Sequence, residues 1–188
     1  MALIKVTKAG FDGTGFPMGS PSASTPNYEI VFHRLKITRK ATPPDFQYIS
    51  PSGVYRNIAI GDFANRLQNN SLPPAIAPLY NGAGDPAPDI VVINPAYVVV
   101  QIVGGDDPTL AFQDGVDAFR TENDRQTVYR SLTRAYSDPD GRCRVVKFQD
   151  FDPVTSSPDS YNIYLQYSET PPSATTWIVD PKIKNRGT

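Results

Sequence analysis

The chain is poor in the side chains that most enzymes and metal sites rely on. It has one histidine (His33), one cysteine (Cys143) and one tryptophan (Trp177) in 188 residues. Hydrolytic, redox and metal chemistry draws mainly on His, Cys or gathered carboxylates held by a rigid scaffold. The composition therefore speaks against an enzyme and for no cofactor. A lone cysteine excludes an internal disulfide, so nothing points to an oxidising compartment. No run approaches the roughly 20 apolar residues of a membrane-spanning helix, and the opening MALIKVTKAG is too weakly apolar for a signal-peptide core. The expectation is a protein made in the cytoplasm without a signal peptide, with no membrane partner, that reaches a virion or an extracellular assembly by another route.

What is plentiful is punctuation. Nineteen prolines and 13 glycines interrupt short apolar runs, and a proline inside a helix costs about 3 kcal/mol. Prolines at this density belong between strands. At this length roughly 70% of the unfolded surface is removed from water on folding, so a core needs no staple. Ten tyrosines and nine phenylalanines supply its bulk.

Alternation marks strands at Leu3–Lys8, 28–38, 46–49, 54–60, 89–93, 97–103, 142–149, 161–167 and 175–179. Within 28–38 the apolar phase runs Tyr28, Ile30, Phe32 and then shifts to Leu35, Ile37, which predicts a β-bulge near His33–Arg34. DIVVI and YVVVQIV are apolar on both faces, as central strands are. DFANRLQN (62–69) reads as a short helix capped by Asp62, with Phe63 and Leu67 on one face. Ser137-Asp138-Pro139-Asp140-Gly141 is turn chemistry with Gly141 at positive φ, predicting a hairpin between 127–136 and 142–149. The first arm also carries helical spacing (Val128, Leu132, Tyr136). After the strand at 175–179, Asp180-Pro181 reads as a break and the remainder as a basic polar tail. These elements predict an all-β, β-sandwich-like fold of roughly nine or ten short strands, one short helix and long Pro/Gly-rich loops, forming a single domain over residues 1–188.

Two stretches lack periodicity. Residues 10–27 are Gly/Ser/Pro-rich and read either as a flexible connector or, since Phe11, Phe16 and Met18 are apolar groups that a solvated linker does not need, as an arm that orders on a neighbouring subunit. Residues 72–88 read as a second irregular loop. Charge is also uneven. Residues 1–66 carry a net +4, whereas residues 67–119 hold no Lys or Arg and six aspartates: Asp85, Asp89, Asp106, Asp107, Asp114 and Asp117. Such an acidic face can fold against a basic segment of its own chain or meet the basic face of another copy.

The remaining constellations are weak. His33 lies within the longest strand with no orienting carboxylate or nucleophile assignable, and reads as a hydrogen-bonded strand histidine. Cys143 lies between Arg142 and Arg144, but in an extended strand both arginines point away from it, leaving a small buried residue. The acidic turns at 105–107, 114–117 and 138–141 could offer oxygens to Ca²⁺, but none matches a calcium-binding helix–loop–helix. Basic residues with interleaved aromatics at 33–40 and 130–147 could suit nucleic acid, yet a net charge of −1 weighs against that partner. In 161–167, Tyr164 faces away from Tyr161, Ile163, Leu165 and Tyr167, and with Trp177 it could form a ligand platform. The leading expectation is a non-enzymatic structural subunit that self-assembles with other copies of itself into a particle or filament of phage-tail or fibre type. The competing one is a carbohydrate- or other ligand-binding module, calcium-assisted.

Overall fold

A computed structural model of the chain describes residues 29–79, 90–92, 96–112, 119–121, 129–134, 138–150, 158–168, 174–179 and 182–185, with side chains at 29–79, 96–112 and 138–148. The described elements are strands apart from one helix, as an all-β chain requires. Strands β1 (Glu29–Thr38), β2 (Asp45–Tyr48), β3 (Gly53–Tyr55), β4 (Ala77–Pro78), β6 (Ala96–Gly104), β9 (Tyr129–Arg134) and β10 (Val145–Asp150) form one sheet, ordered β4-β3-β1-β6-β10-β9 with β2 also on β1. The sheet is mixed: β1 and β6 run parallel and the other pairs antiparallel. A second group joins β5 (Ile90–Val92), β7 (Ala111–Phe112), β8 (Phe119–Thr121), β11 (Pro158–Ser168), β12 (Ala174–Val179) and β13 (Lys182–Asn185). β11 is its hub, pairing with β7, β8, β12 and β13.

β1 and β6 form the centre of the first sheet. β1 keeps unbroken register with β6 from Glu29↔Ala96 to Ile37↔Gly104, so the expected bulge in β1 is absent from that ladder. The irregularity lies in the chain on the other edge. β3 pairs with Ile30–Phe32 and β2 with Leu35–Thr38, so residues 49–52 face only His33 and Arg34. Ser52 closes this gap: its Oγ accepts the Arg34 N–H at 2.9 Å and donates to the Ile49 carbonyl at 2.8 Å. The apolar phase shift has a different cause. Val31, His33, Leu35 and Ile37 are buried along one face of β1, while the other face is buried at Ile30 and Phe32, half-buried at Arg34 and exposed at Lys36.

Helix α1 (Ile60–Gln68) explains the difference. Ile60, Phe63, Ala64 and Leu67 recur at i, i+3, i+4 and i+7, so one stripe is apolar and buried. It packs on Ile30, Phe32, Tyr55, Tyr97, Val99 and Val145. Phe63 meets Phe32 edge-on at 5.4 Å between ring centroids and Tyr55 at 5.0 Å, an arrangement that satisfies the ring quadrupoles. The helix begins two residues before the expected cap: Ala59 is the N-cap with no side-chain cap bond, and Asp62 lies in the first turn, where its charge favours the helix dipole. Asn70, at φ 52°, ends it.

Three further expectations change. The strand expected over 54–60 stops at Tyr55, because Ile60 is needed by the helix. Within the irregular stretch 72–88, Ala77–Pro78 pairs with β3 and closes that side of the sheet, a place where proline's missing N–H costs nothing. The polar tail after Pro181 forms β13, parallel to β5, and β5 stands at the end of its sheet rather than at the centre. The hairpin is as expected: β9 and β10 are antiparallel neighbours, and Gly141 has φ 75°. Leu3–Lys8, the arm at 10–27 and residues 80–88 lie outside the described residues.

Candidate functional site

The polar side chains that the sequence singled out are mostly tied into the scaffold. His33 is buried at 1% exposure on the face of β1 turned away from α1. Its Nδ1 lies 2.7 Å from the Tyr48 hydroxyl, and its Nε2 has no hydrogen-bond partner among the described residues. Burial drives its pKa down to about 3, so the ring is neutral at physiological pH. Cys143 is buried as well, its Sγ 3.8 Å from the Val145 carbonyl.

The arginines flanking Cys143 act on the backbone. Arg144 donates to the carbonyls of Pro108 and Leu110 at 3.0 and 3.2 Å, and to Asp140 at 2.6 Å. Arg142 donates to the Thr109 carbonyl and pairs with Asp140 at 3.5 Å. Together they fasten the 108–110 turn to the 138–141 turn. The hydrogen bond from Arg144 holds the Asp140 carboxyl down at about 2 and raises the Arg144 guanidinium. Sequence reasoning placed these arginines on the far face from Cys143 but missed their role. The alternation Arg-Cys-Arg next to an Asp-rich turn was the available signal.

Asp106 and Asp107 close the end of β1 against the end of β6. Asp106 accepts the backbone N–H groups of Arg39 at 2.9 Å and Lys40 at 2.7 Å. Asp107, 5% exposed, accepts the Thr109 hydroxyl at 2.5 Å and pairs with Arg39 at 3.3 Å. Desolvation pushes both carboxyls upward, but these donors outweigh it and hold both below the usual carboxylate range. The approach is close. A Cβ on Gly104 would stand 1.9 Å from the Asp107 carbonyl oxygen, so no larger residue fits there without moving the turn. At the other end of β1, buried Glu29 is paired with Arg56. Asp107 thus engages a basic side chain of its own chain, and Asp106 the backbone of two basic residues. Asp85, Asp89, Asp114 and Asp117 lie outside the described residues, as do Phe11, Phe16 and Met18.

Tyr164 stands opposite Ile178 in the β11–β12 ladder and Trp177 stands opposite Leu165. The two therefore occupy adjacent rungs, and adjacent rungs of a pleated ladder belong to opposite faces. Among the described residues no three His, Cys, Asp or Glu side chains gather into a metal-holding group, and no helix is long and apolar enough to cross a membrane.

Part of the helix-side face of the first sheet is polar. Past Phe32 and Val99 the helix-side face carries Arg34 and Lys36 on β1, Gln47 on β2, and Gln101 and Val103 on β6, with Lys147 on β10 level with Val99. Lys36 is exposed, and the other five are half-buried. The Arg34 Nη1 donates to the Ser50 carbonyl at 2.7 Å, which fixes its guanidinium on this face. The charge carried here is positive. The chain matches no known protein family, and no curated protein resembles it.

Proposed function

We propose that the chain is a non-enzymatic structural subunit that assembles with copies of itself into a particle or filament, of phage-tail or fibre type. The observation that carries this reading is how the reactive side chains are used. His33 and Cys143 are sealed in the core, and Asp106, Asp107, Asp138 and Asp140 are bound by backbone N–H groups, a hydroxyl or arginines. Groups spent on holding turns in place suit a scaffold whose task is its shape. Segregated charge and the apolar residues of the 10–27 stretch add support, since subunits that tile must recognise one another.

The scaffold that suits this role is a sandwich. The face of the first sheet opposite α1 is buried at Val31, Leu35, Ile37, Val98, Val100, Ile102, Val146 and Phe148, and a face buried that widely needs a covering layer. Phe112 is the link: it bridges to Cys143 beside the first sheet and pairs with Leu165 in the second. We propose the β11 sheet as that cover.

The test is mass by light scattering with negative-stain microscopy, over a series of protein concentrations and salt. Regular particles or fibres are expected. A chain that stays monomeric at every concentration would overturn the reading.

A further inference from the structure

We infer that the outer edge of β12 is a self-contact, taken by β12 of a second copy as an added antiparallel strand. This rests on the assembly reading and gives it one interface. β12 and β13 run in a single register on β11, with Ile163 opposite Val179 and Ser160 opposite Lys182. The edge away from β11 is occupied at β13, where Ile90–Val92 pair in parallel with Ile183 to Asn185. Along Ala174–Val179 that edge has no partner strand among the described residues. The sequence just before β5 includes Pro86 and Pro88, which have no N–H to give a ladder. An unpaired strand edge of this length is a template for another strand.

What sets β12 apart is its lack of the devices that keep an edge unpaired. Four strands end the two sheets: β4, β9, β5 and β12. β4 has two residues, one of them Pro78, and β5 has three. β9 carries Arg130 and Arg134, and charge on an edge resists a second strand. β12 reads Ala-Thr-Thr-Trp-Ile-Val, with no charge, no proline and no glycine. Five of its six residues are β-branched or aromatic, the types that fit a pleated strand. Short runs of that kind are the ones that pair across chains. Pro171 and Pro172 before the run and Asp180-Pro181 after it confine the exposed template to these residues. The same comparison selects the occupant. Among the four terminal strands β12 alone is long, uncharged and free of proline, so the edge that fits it best is its own copy. Two identical strands pair antiparallel about a two-fold axis, with main-chain hydrogen bonds as the contact, and a dimer becomes the building unit of the assembly.

The experiment is sedimentation of the full chain over a concentration series, for the wild type, T176K and T176V. Amide hydrogen exchange of the wild type is read over residues 174–179 at concentrations below and above association. Association is expected to weaken about tenfold in T176K, because the two-fold brings two like charges to one edge. It is expected to stay within about twofold in T176V, which leaves the strand uncharged and β-branched. Exchange over 174–179 is expected to slow when copies associate. If T176K does not fold, the wild-type exchange decides alone. Wild-type association with 174–179 exchanging equally fast in both states would overturn this interface and leave the assembly reading standing. Association of a folded T176K as tight as that of the wild type would do the same. Exchange already slow throughout 174–179 in the dilute monomer would assign the edge to the chain's own residues and overturn the self-contact. A wild type that is monomeric at every concentration would overturn both readings.

Discussion

The two faces of β1 show how one strand can obey two sets of rules. On one face Val31, His33, Leu35 and Ile37 are buried from end to end. On the other, burial stops where α1 stops, and the residues change from Ile30 and Phe32 to Arg34 and Lys36. Side chains on a strand alternate strictly, so a change of cover partway along one face appears in sequence as a change of phase. His33 reinforces the illusion, because it places a polar ring on the continuously buried face. The comparison separates two causes of the same pattern, a bulge and a cover that ends.

Phe32→Ala should cause the largest effect. The ring is fully buried against Phe63 and Tyr55, and removing it is expected to cost about 3–5 kcal/mol of stability by urea unfolding. A loss below 1 kcal/mol would show that α1 does not pack there.

The continuously buried face is probed by acid. His33 has a pKa of about 3 in the folded chain and an ordinary value of 6.5 when unfolded, so the unfolded state binds the extra proton between those limits. Stability is then unaffected above about pH 6.5 and falls steadily toward pH 3. Between pH 7 and 4.5 the loss should be about 2–3 kcal/mol, at roughly 1.4 kcal/mol per unit. His33→Leu should flatten that part of the profile. An unchanged slope in the variant would assign the acid sensitivity to other groups.

At the end of the strand, Asp107→Asn keeps the shape but removes the charge facing Arg39. A loss of about 1–3 kcal/mol is expected, because a nearly buried guanidinium would lose the charge that Asp107 places against it. Thermal unfolding would measure it. Lys36→Ala on the open half is the smallest change, within about 0.5 kcal/mol, because an exposed cation makes no packing contribution of note. A larger loss would mean that the open half is covered after all.

Several elements were legible because their signals are local. The i, i+3, i+4, i+7 stripe of α1, the Asp-Pro-Asp-Gly turn with Gly141 at φ 75°, and the doubly apolar run of β6 each follow from a few neighbouring residues. The start of the helix was misplaced, since Asp62 is a good cap by type but Ile60 was required by the core beneath Tyr55 and Tyr97. Lys182–Asn185 escaped notice because a short polar strand gains its order from Pro158–Ser160 and Ile90–Val92, both far away in the chain. The clamp of Arg142 and Arg144 on the 108–110 carbonyls was invisible for a related reason: its acceptors are backbone atoms more than 30 residues distant.

By itself, then, the sequence determined a β-rich chain with one short amphipathic helix, a tight hairpin and a separated acidic run, because alternation, turn chemistry and charge are properties of neighbouring residues. Tertiary structure decided which strands lie side by side, that β1 and β6 run parallel, and that Asp106 and Asp107 bind the end of β1. It also decided that α1 lies over Ile30 and Phe32 on one face of β1, leaving Arg34 and Lys36 on the rest of that face. Those outcomes depend on which distant segments bury one another, and burial is a property of the whole fold.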